Sequence, residues 1–479
     1  MTDRLLSLAE RRFGRRPDGL LDLAADGSTR QYFRLVWAHE RTAIGALGPD
    51  HEENAAFLSF AKALRAAGLP VPEIYADDEA AGAWLEEDLG DTTLFQALSA
   101  ARGGEAGGEF PASIVPLYRR VLGVLPRFQV EGDRVVDYAK AYPRRAFDRQ
   151  SILWDLNYFK YHFLKLAGIP FNEQRLESDF ARLTSFLLQA PADTFLYRDF
   201  QSRNVMVRGG EPWFVDFQGG RKGAPHYDVA SLLYDAKAAL PPPLRRELLE
   251  HYLGELERVY PVDRARFREL FTGFVLVRLM QAMGAYGYRG FFERRRRFLE
   301  SVPHAARNLD DLLAAGLPVA LPELEPAFRR IVERWTPRPP RSPSPGDGPR
   351  AALTVLIRSF SYRDGIPADG EGHGGGFVFD CRALPNPQHV EGLRELTGLD
   401  QPVAEYLERQ AEVQEFWANV SGLADAHVER WLERGFASLT VAFGCTGGRH
   451  RSVYFAEKLA AHLRSRFPRV AVRVIHGKL

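Results

Sequence analysis

The stretch Thr336 to Arg350, TPRPPRSPSPGDGPR, constrains this chain more than any other. Proline at that frequency removes backbone donors and fixes φ, so neither a helix nor a central strand can run through it. A semi-extended linker is the expected outcome. With 479 residues the chain exceeds what one hydrophobic core usually organises. The expectation is therefore a large N-terminal domain over 1–335, a linker over 336–350 and a smaller domain over 351–479.

Composition narrows what these domains can be. Hydrophobic residues at 45% and charged residues at 26% are ordinary for packed globular domains and exclude collagen-like or disordered chains. The balance of 63 basic against 62 acidic side chains leaves +1, so no global field draws nucleic acid or an anionic membrane, and any polyanion site must be local. Two cysteines, Cys381 and Cys445, make no disulfide framework and suit a reducing compartment, the cytoplasm. Met1 to Gly14 carries Asp3, Arg4, Glu10 and Arg11 among its apolar residues and does not read as a signal peptide. With no run of eighteen apolar residues, no membrane span is expected.

In the first region, Gln31 to Trp37 and Arg41 to Leu47 read as a hairpin that opens the domain, with Gly27 just ahead. Glu52 to Ala67 has helical apolar spacing, and Pro70-Val71-Pro72 leads to another strand pair ending at Leu85. Ile114 to Phe186 and Pro242 to Leu313 are helical. Mixed sheet first and helices after is the order of a bilobal α+β kinase-like fold.

Phe195 to Phe217 carries the chemistry. Two apolar bursts, Phe195-Leu196-Tyr197 and Trp213-Phe214-Val215, lead to Asp199 and Asp216, and Asn204 lies five positions after Asp199. The first Asp can orient a substrate hydroxyl and accept its proton. The Asn and the second Asp offer oxygen ligands to Mg²⁺ on the ATP phosphates. A lone Asp after a strand is usually a cap or turn; three polar residues at this spacing are not. The pattern resembles the aminoglycoside phosphotransferase branch of the protein-kinase-like superfamily, in particular the AmgK-type anomeric N-acetylmuramate and N-acetylglucosamine kinases. The likeness runs from Leu5 to Leu313. It includes Asp26 to Arg34 as the phosphate-covering turn, Leu85 to Asp91 as the hinge, and His226 to Leu233, in which Asp228 is structural.

That resemblance implies a catalytic base at Asp199 and a Mg²⁺ site at Asn204 and Asp216. It also implies ATP binding by Gly27, Ser28, Thr29 and Arg30, with Glu87, Asp88 and Leu89 lining the adenine slot. The acceptor would be a small amino sugar, phosphorylated at its anomeric hydroxyl in cell wall recycling. Tyr197 departs from the usual His of the catalytic loop. Arg41 to Leu47 also lacks the lysine that clamps the phosphates in many kinases, as the AmgK type does. A degenerate pseudokinase therefore stays open. Aromatic and basic residues crowd Arg144 to Lys160 and Arg278 to Arg297. Tyr286, Tyr288 and Arg289, in the run from Gly284 to Gly290, suit the face and acidic groups of a sugar, although packing of the helical lobe accounts for most of these aromatics.

In the last region Ala352 to Ser359, Phe377 to Cys381 and Leu439 to Phe443 read as strands. Val403 to Leu423, Ala426 to Arg434 and Val453 to Arg464 read as helices. The third strand runs into Cys445, Thr446, Gly447, Gly448, Arg449, His450, Arg451 and Ser452 and then a helix. Glycine-freed N–H groups, a helix start and arginine forks suit a phosphate. Cys445 and Arg451 also have the spacing of cysteine phosphatases. From Ile357 to Ile475 the sequence resembles the α/β C-terminal domain of RapZ. It shares Ser359-Phe360, Asp364 to Pro367, Phe379 to Arg382, Leu384 to Pro387, Leu396 to Asp400 and the glycine loop. The RapZ likeness implies binding of a phosphosugar such as glucosamine-6-phosphate, and an RNA or protein partner. The tail, Val472 to Leu479, carries few basic residues compared with the RNA-contacting end of RapZ.

Overall fold

The structure, a computed structural model, describes residues 2–23, 30–38, 41–103, 110–336, 353–367 and 376–478. The chain divides into two compact units, Met1–Arg338 and Pro339–Leu479.

The first unit opens with helix α1 (Thr2–Phe13), which buries Leu5, Leu8 and Ala9 on one face. Its upper lobe is a five-stranded antiparallel sheet in the order β1-β2-β3-β5-β4. The strands are β1 (Gly19–Leu23), β2 (Gln31–Trp37), β3 (Arg41–Leu47), β4 (Ile74–Asp78) and β5 (Ala83–Glu86), and helix α2 (His51–Ala66) lies between β3 and β4. Strand alternation sorts β2 cleanly. Phe33, Leu35 and Trp37 join the small core under α1, which leaves Tyr32, Arg34 and Val36 on the other face. The sheet therefore has one more strand and one more helix than the hairpin reading, because β1 and α1 each bury too few residues to stand out.

The lower lobe is helical around two short antiparallel strand pairs. Its elements are α3 (Leu94–Ala101), α4 (Val115–Val135), α5 (Arg149–Phe159), α6 (Glu173–Leu187), β6 (Thr194–Leu196), β7 (Val205–Arg208), β8 (Glu211–Phe214), β9 (Arg221–Gly223), α7 (His226–Leu233), α8 (Pro242–Leu256), α9 (Arg264–Gly287), α10 (Val302–Ala315) and α11 (Leu324–Trp335). β6 pairs with β9 and β7 with β8. The segment Arg264–Phe292 is long and apolar enough to cross a membrane by length and composition, but 72% of its apolar window is buried within the protein. The Gly284 to Gly290 run is helical. A Cβ on Gly287 would lie 2.0 Å from the carbonyl oxygen of His162, so this glycine lets α9 pack directly on backbone.

The second unit is a parallel sheet in the order β11-β12-β10-β13, formed by β10 (Thr354–Ser361), β11 (Gly376–Asp380), β12 (Ser438–Cys445) and β13 (Ala471–His476). Helices α12 (Gln401–Glu408), α13 (Ala411–Arg434) and α14 (Arg451–Arg466) accompany it. The helix break falls at Arg409 and Gln410, not between Leu423 and Ala426. Val420, Ala424 and Val428 form one unbroken stripe at helical spacing. Leu407 and Val413, six residues apart, cannot share a face of a single helix.

Candidate functional site

Asp199 lies three residues beyond β6, on a loop fixed by two buried carboxylates. Asp228, in the first turn of α7, accepts the backbone N–H of Tyr197 at 2.8 Å and that of Arg198 at 2.9 Å. Burial raises this carboxyl to about 7 against the pull of those two donors. Arg198 is left-handed, with φ of 84°, a conformation that costs a non-glycine residue about 1–2 kcal/mol. Its guanidinium forks onto both oxygens of Asp155 from α5, at 2.7 and 2.6 Å. The strain is held in place from both sides, immediately before Asp199.

Asn204 and Asp216 close on the same point. The Asn204 amide nitrogen donates to the Asp199 carbonyl at 2.9 Å and to Asp216 Oδ2 at 2.8 Å. Gln218 donates to the other Asp216 oxygen at 2.8 Å. Asp216 is itself left-handed, with φ of 70°. The Tyr197 hydroxyl donates to the Val215 carbonyl at 2.6 Å, so the residue that replaces histidine ties the two loops together. Burial pushes the Asp216 carboxyl above its ordinary range, and the charge of Asp199 adds to the rise. Two carboxylates that repel one another in this way, with the Asn204 amide between them, form a hard-oxygen set suited to a cation. Among the described residues no group of three or more His, Cys, Asp or Glu could hold a metal alone.

Gly27, Ser28 and Thr29 lie outside the described residues. Arg30, next to them, is buried to 3% exposure. At the hinge, Asp88 accepts Arg34 through both oxygens, at 2.6 and 3.0 Å. Asp88 and Leu89 border a cleft of about 330 Å³ that Arg34, Thr42, Gly90, Asp91 and Arg208 also line. Glu87 does not line it, and its carboxylate pairs with Arg208 at 2.6 Å. Next to the Asp199 loop, Gln201, Ser231, Asp235, Arg278 and Tyr286 surround a cavity of about 10 Å³, room for one water. Tyr288 instead packs among Tyr158, His162 and Phe292.

In the second unit, β12 ends at Cys445 and α14 begins at Arg451, so the intervening loop sits at the C-terminal end of a parallel strand, where open α/β sheets bind ligands. His450 makes no side-chain cap. Gly448 N–H and the Ser452 hydroxyl both contact Cys445 Sγ at 3.2 Å. Burial pushes this thiol up, but the bonds from Ser452 and Gly448 and the Arg451 charge outweigh it and leave it below the ordinary value. Thr446, Gly447 and Arg449 are exposed, and Gly448 is left-handed at φ of 71°. Arg451 Nη1 donates to the carbonyls of Arg382 and Leu384 at 3.0 and 2.7 Å, so part of its fork braces the neighbouring loop.

Residues 20–270, more than half of the chain, match the phosphotransferase enzyme family. The chain belongs to the phosphotransferase enzyme family. Residues 353–479 match the RapZ C-terminal domain, so a phosphotransferase domain and a RapZ-like domain share one chain. Among curated relatives, a nucleotide-binding protein of Methylobacillus flagellatus is 38% identical over 179 residues, 36% of this chain and 57% of that protein. One of Methylibium petroleiphilum is 47% identical over 122 residues, 25% and 37% of the two chains. This chain thus spans less than two thirds of the length of these relatives. Similar solved structures include a choline kinase from Cryptosporidium parvum, with 12% identity, a TM-score of 0.46, and cover of 65% of this chain and 97% of that one. Choline kinase LicA from Streptococcus pneumoniae has 15% identity, a TM-score of 0.42, and covers of 64% and 97%.

The sequence marks Asp199, Asn204 and Asp216 as candidate site residues and Asp228 as structural, but it marks neither Asp155 nor Gln218. Gln218 stands two residues after Asp216 and was within reach of inspection; nothing local marks Asp155.

Proposed function

We propose that the N-terminal unit transfers the terminal phosphoryl group of ATP to a hydroxyl of a small amino sugar. The observation that supports this reading is the linked group of Asp199, Asn204 and Asp216. Asp199 orients the acceptor hydroxyl and takes its proton. Asn204 and Asp216 hold Mg²⁺, which when bound neutralises charge on the phosphate oxygens. The family likeness assigns Gly27 to Arg30 to the phosphates, and Asp88 and Leu89 of the hinge border the base. The likeness to AmgK-type kinases points to N-acetylmuramate or N-acetylglucosamine, and the anomeric position, as the acceptor. The loop from Cys445 to Ser452 holds a phosphosugar such as glucosamine-6-phosphate, as product or regulator, in a cytoplasmic protein. Incubation with Mg²⁺, ATP and a panel of amino sugars tests this, with phosphorylated sugar expected; no transfer to any member would defeat the enzyme reading.

A second reading is favoured by one observation, the absence of a lysine on β3. The kinase-like unit would then be a non-catalytic sensor or adaptor that relays phosphosugar binding to a protein or RNA partner. Calorimetry separates the two, because the second reading expects glucosamine-6-phosphate to bind and ATP not to bind.

A further inference from the structure

In protein kinases a lysine on the third strand, paired with a glutamate of the following helix, holds the α- and β-phosphates. Here the cleft face of β3 has no cation. The register puts Thr42, Ile44 and Ala46 opposite Val36, Arg34 and Tyr32, on the face away from α1. The one basic residue of the strand, Arg41, lies over the ring of Phe13 at 4.3 Å, on the α1 side. No residue of β3 can supply the clamp.

Arg30, one residue before β2, brings a positive charge to the empty place. Its guanidinium lies 5.4 Å from the ring centres of both Phe57 on α2 and Trp84 on β5. Its Nη2 is 3.4 Å from Oε1 of Glu53, also on α2. Phe57 in turn stacks on Phe217 at 5.2 Å, the residue after Asp216. The cation and the metal carboxylate therefore sit on two sides of one aromatic stack.

Resting on the ATP-dependent reading above, we infer that Arg30, positioned by Glu53, is the phosphate clamp that replaces the missing β3 lysine. Its fork offers two donors to phosphate oxygens where lysine offers a point charge. Glu53 does not touch the nucleotide. It sets the angle of the fork, and so couples the clamp to the placement of α2.

Calorimetry on the full chain with Mg-ATP and, separately, adenosine tests this. Arg30→Met and Arg30→Gln are expected to weaken Mg-ATP about ten- to a hundredfold, as for lost bonds to a charged group, while adenosine affinity stays at the parental value. Arg41→Met is expected to change neither. Where the neutral variants do not fold, Arg30→Lys keeps the charge but loses the fork, and the same split is expected of it. Unchanged Mg-ATP affinity in folded Arg30 variants of a parent that binds ATP overturns the clamp and leaves the kinase reading standing. A parent that binds no ATP overturns both.

Discussion

Replacing Asp155 by alanine removes one side of the brace that holds the Asp199 loop, and its cost can be worked out from the geometry. Arg198 gives two charge-assisted bonds to Asp155, at 2.7 and 2.6 Å, each worth about 1.5–3 kcal/mol. The side chains are 14% and 8% exposed, so water cannot fully replace the lost partner. Breaking a buried pair on one side leaves an uncompensated charge and costs about 3–5 kcal/mol. Removing both charges does not, so Asp155→Ala/Arg198→Met is expected to recover at least half of that loss. The left-handed backbone at Arg198 is common to both chains and cancels. Urea unfolding followed by fluorescence gives the two stabilities and their coupling. Phosphate transfer is expected to stay low in both variants, because the double variant restores packing without restoring the brace. A single variant that costs less than about 1 kcal/mol, or a double variant no more stable than the single, would refute the reasoning.

Burial lifts Glu86 to about 7, against the pull of the Trp84 indole and the Arg30 charge, whereas the unfolded chain titrates it near the ordinary carboxylate value of about 4.3. Folding thus favours the neutral acid, a contribution complete below pH 4 and lost as pH rises through 7. Glu86→Gln is expected to match the parent at pH 4 and exceed it by about 3 kcal/mol at pH 8 in denaturant unfolding. Gly448→Ala forces a Cβ into left-handed backbone, 3.0 Å from the Ser361 nitrogen. Calorimetry is expected to show a lowered unfolding temperature for the second unit and no binding of glucosamine-6-phosphate.

The parts of the fold that were legible were those with a strong period. β2 and β3 coincide with the apolar bursts Gln31 to Trp37 and Arg41 to Leu47, because half their residues are core and the turn between them is polar. β13 was read only as a tail, since its burial alternates between half-buried and exposed, as at an edge. The candidate site residues visible in sequence were those whose chemistry and spacing are local, Asp199, Asn204 and Asp216. The residues that hold them came from afar. Asp155 lies 43 positions from Arg198, and no pattern within a single segment records that meeting. The left-handed backbone at Arg198 and Asp216 was equally hidden, because neither residue type announces it as glycine would. The missing lysine was evident in the sequence, but Glu53 as the partner of Arg30 was not, since only the fold sets α2 against the start of β2.

The most direct measurement compares the parent with Asp199→Asn for phosphate transfer from Mg-ATP to N-acetylmuramate and N-acetylglucosamine, with Mg-ATP affinity measured on the same samples. Transfer by the parent is expected to fall by at least about a hundredfold in the variant, the usual worth of a general base, while nucleotide affinity holds. Equal transfer by the two proteins would contradict the placement of Asp199 at the reacting hydroxyl.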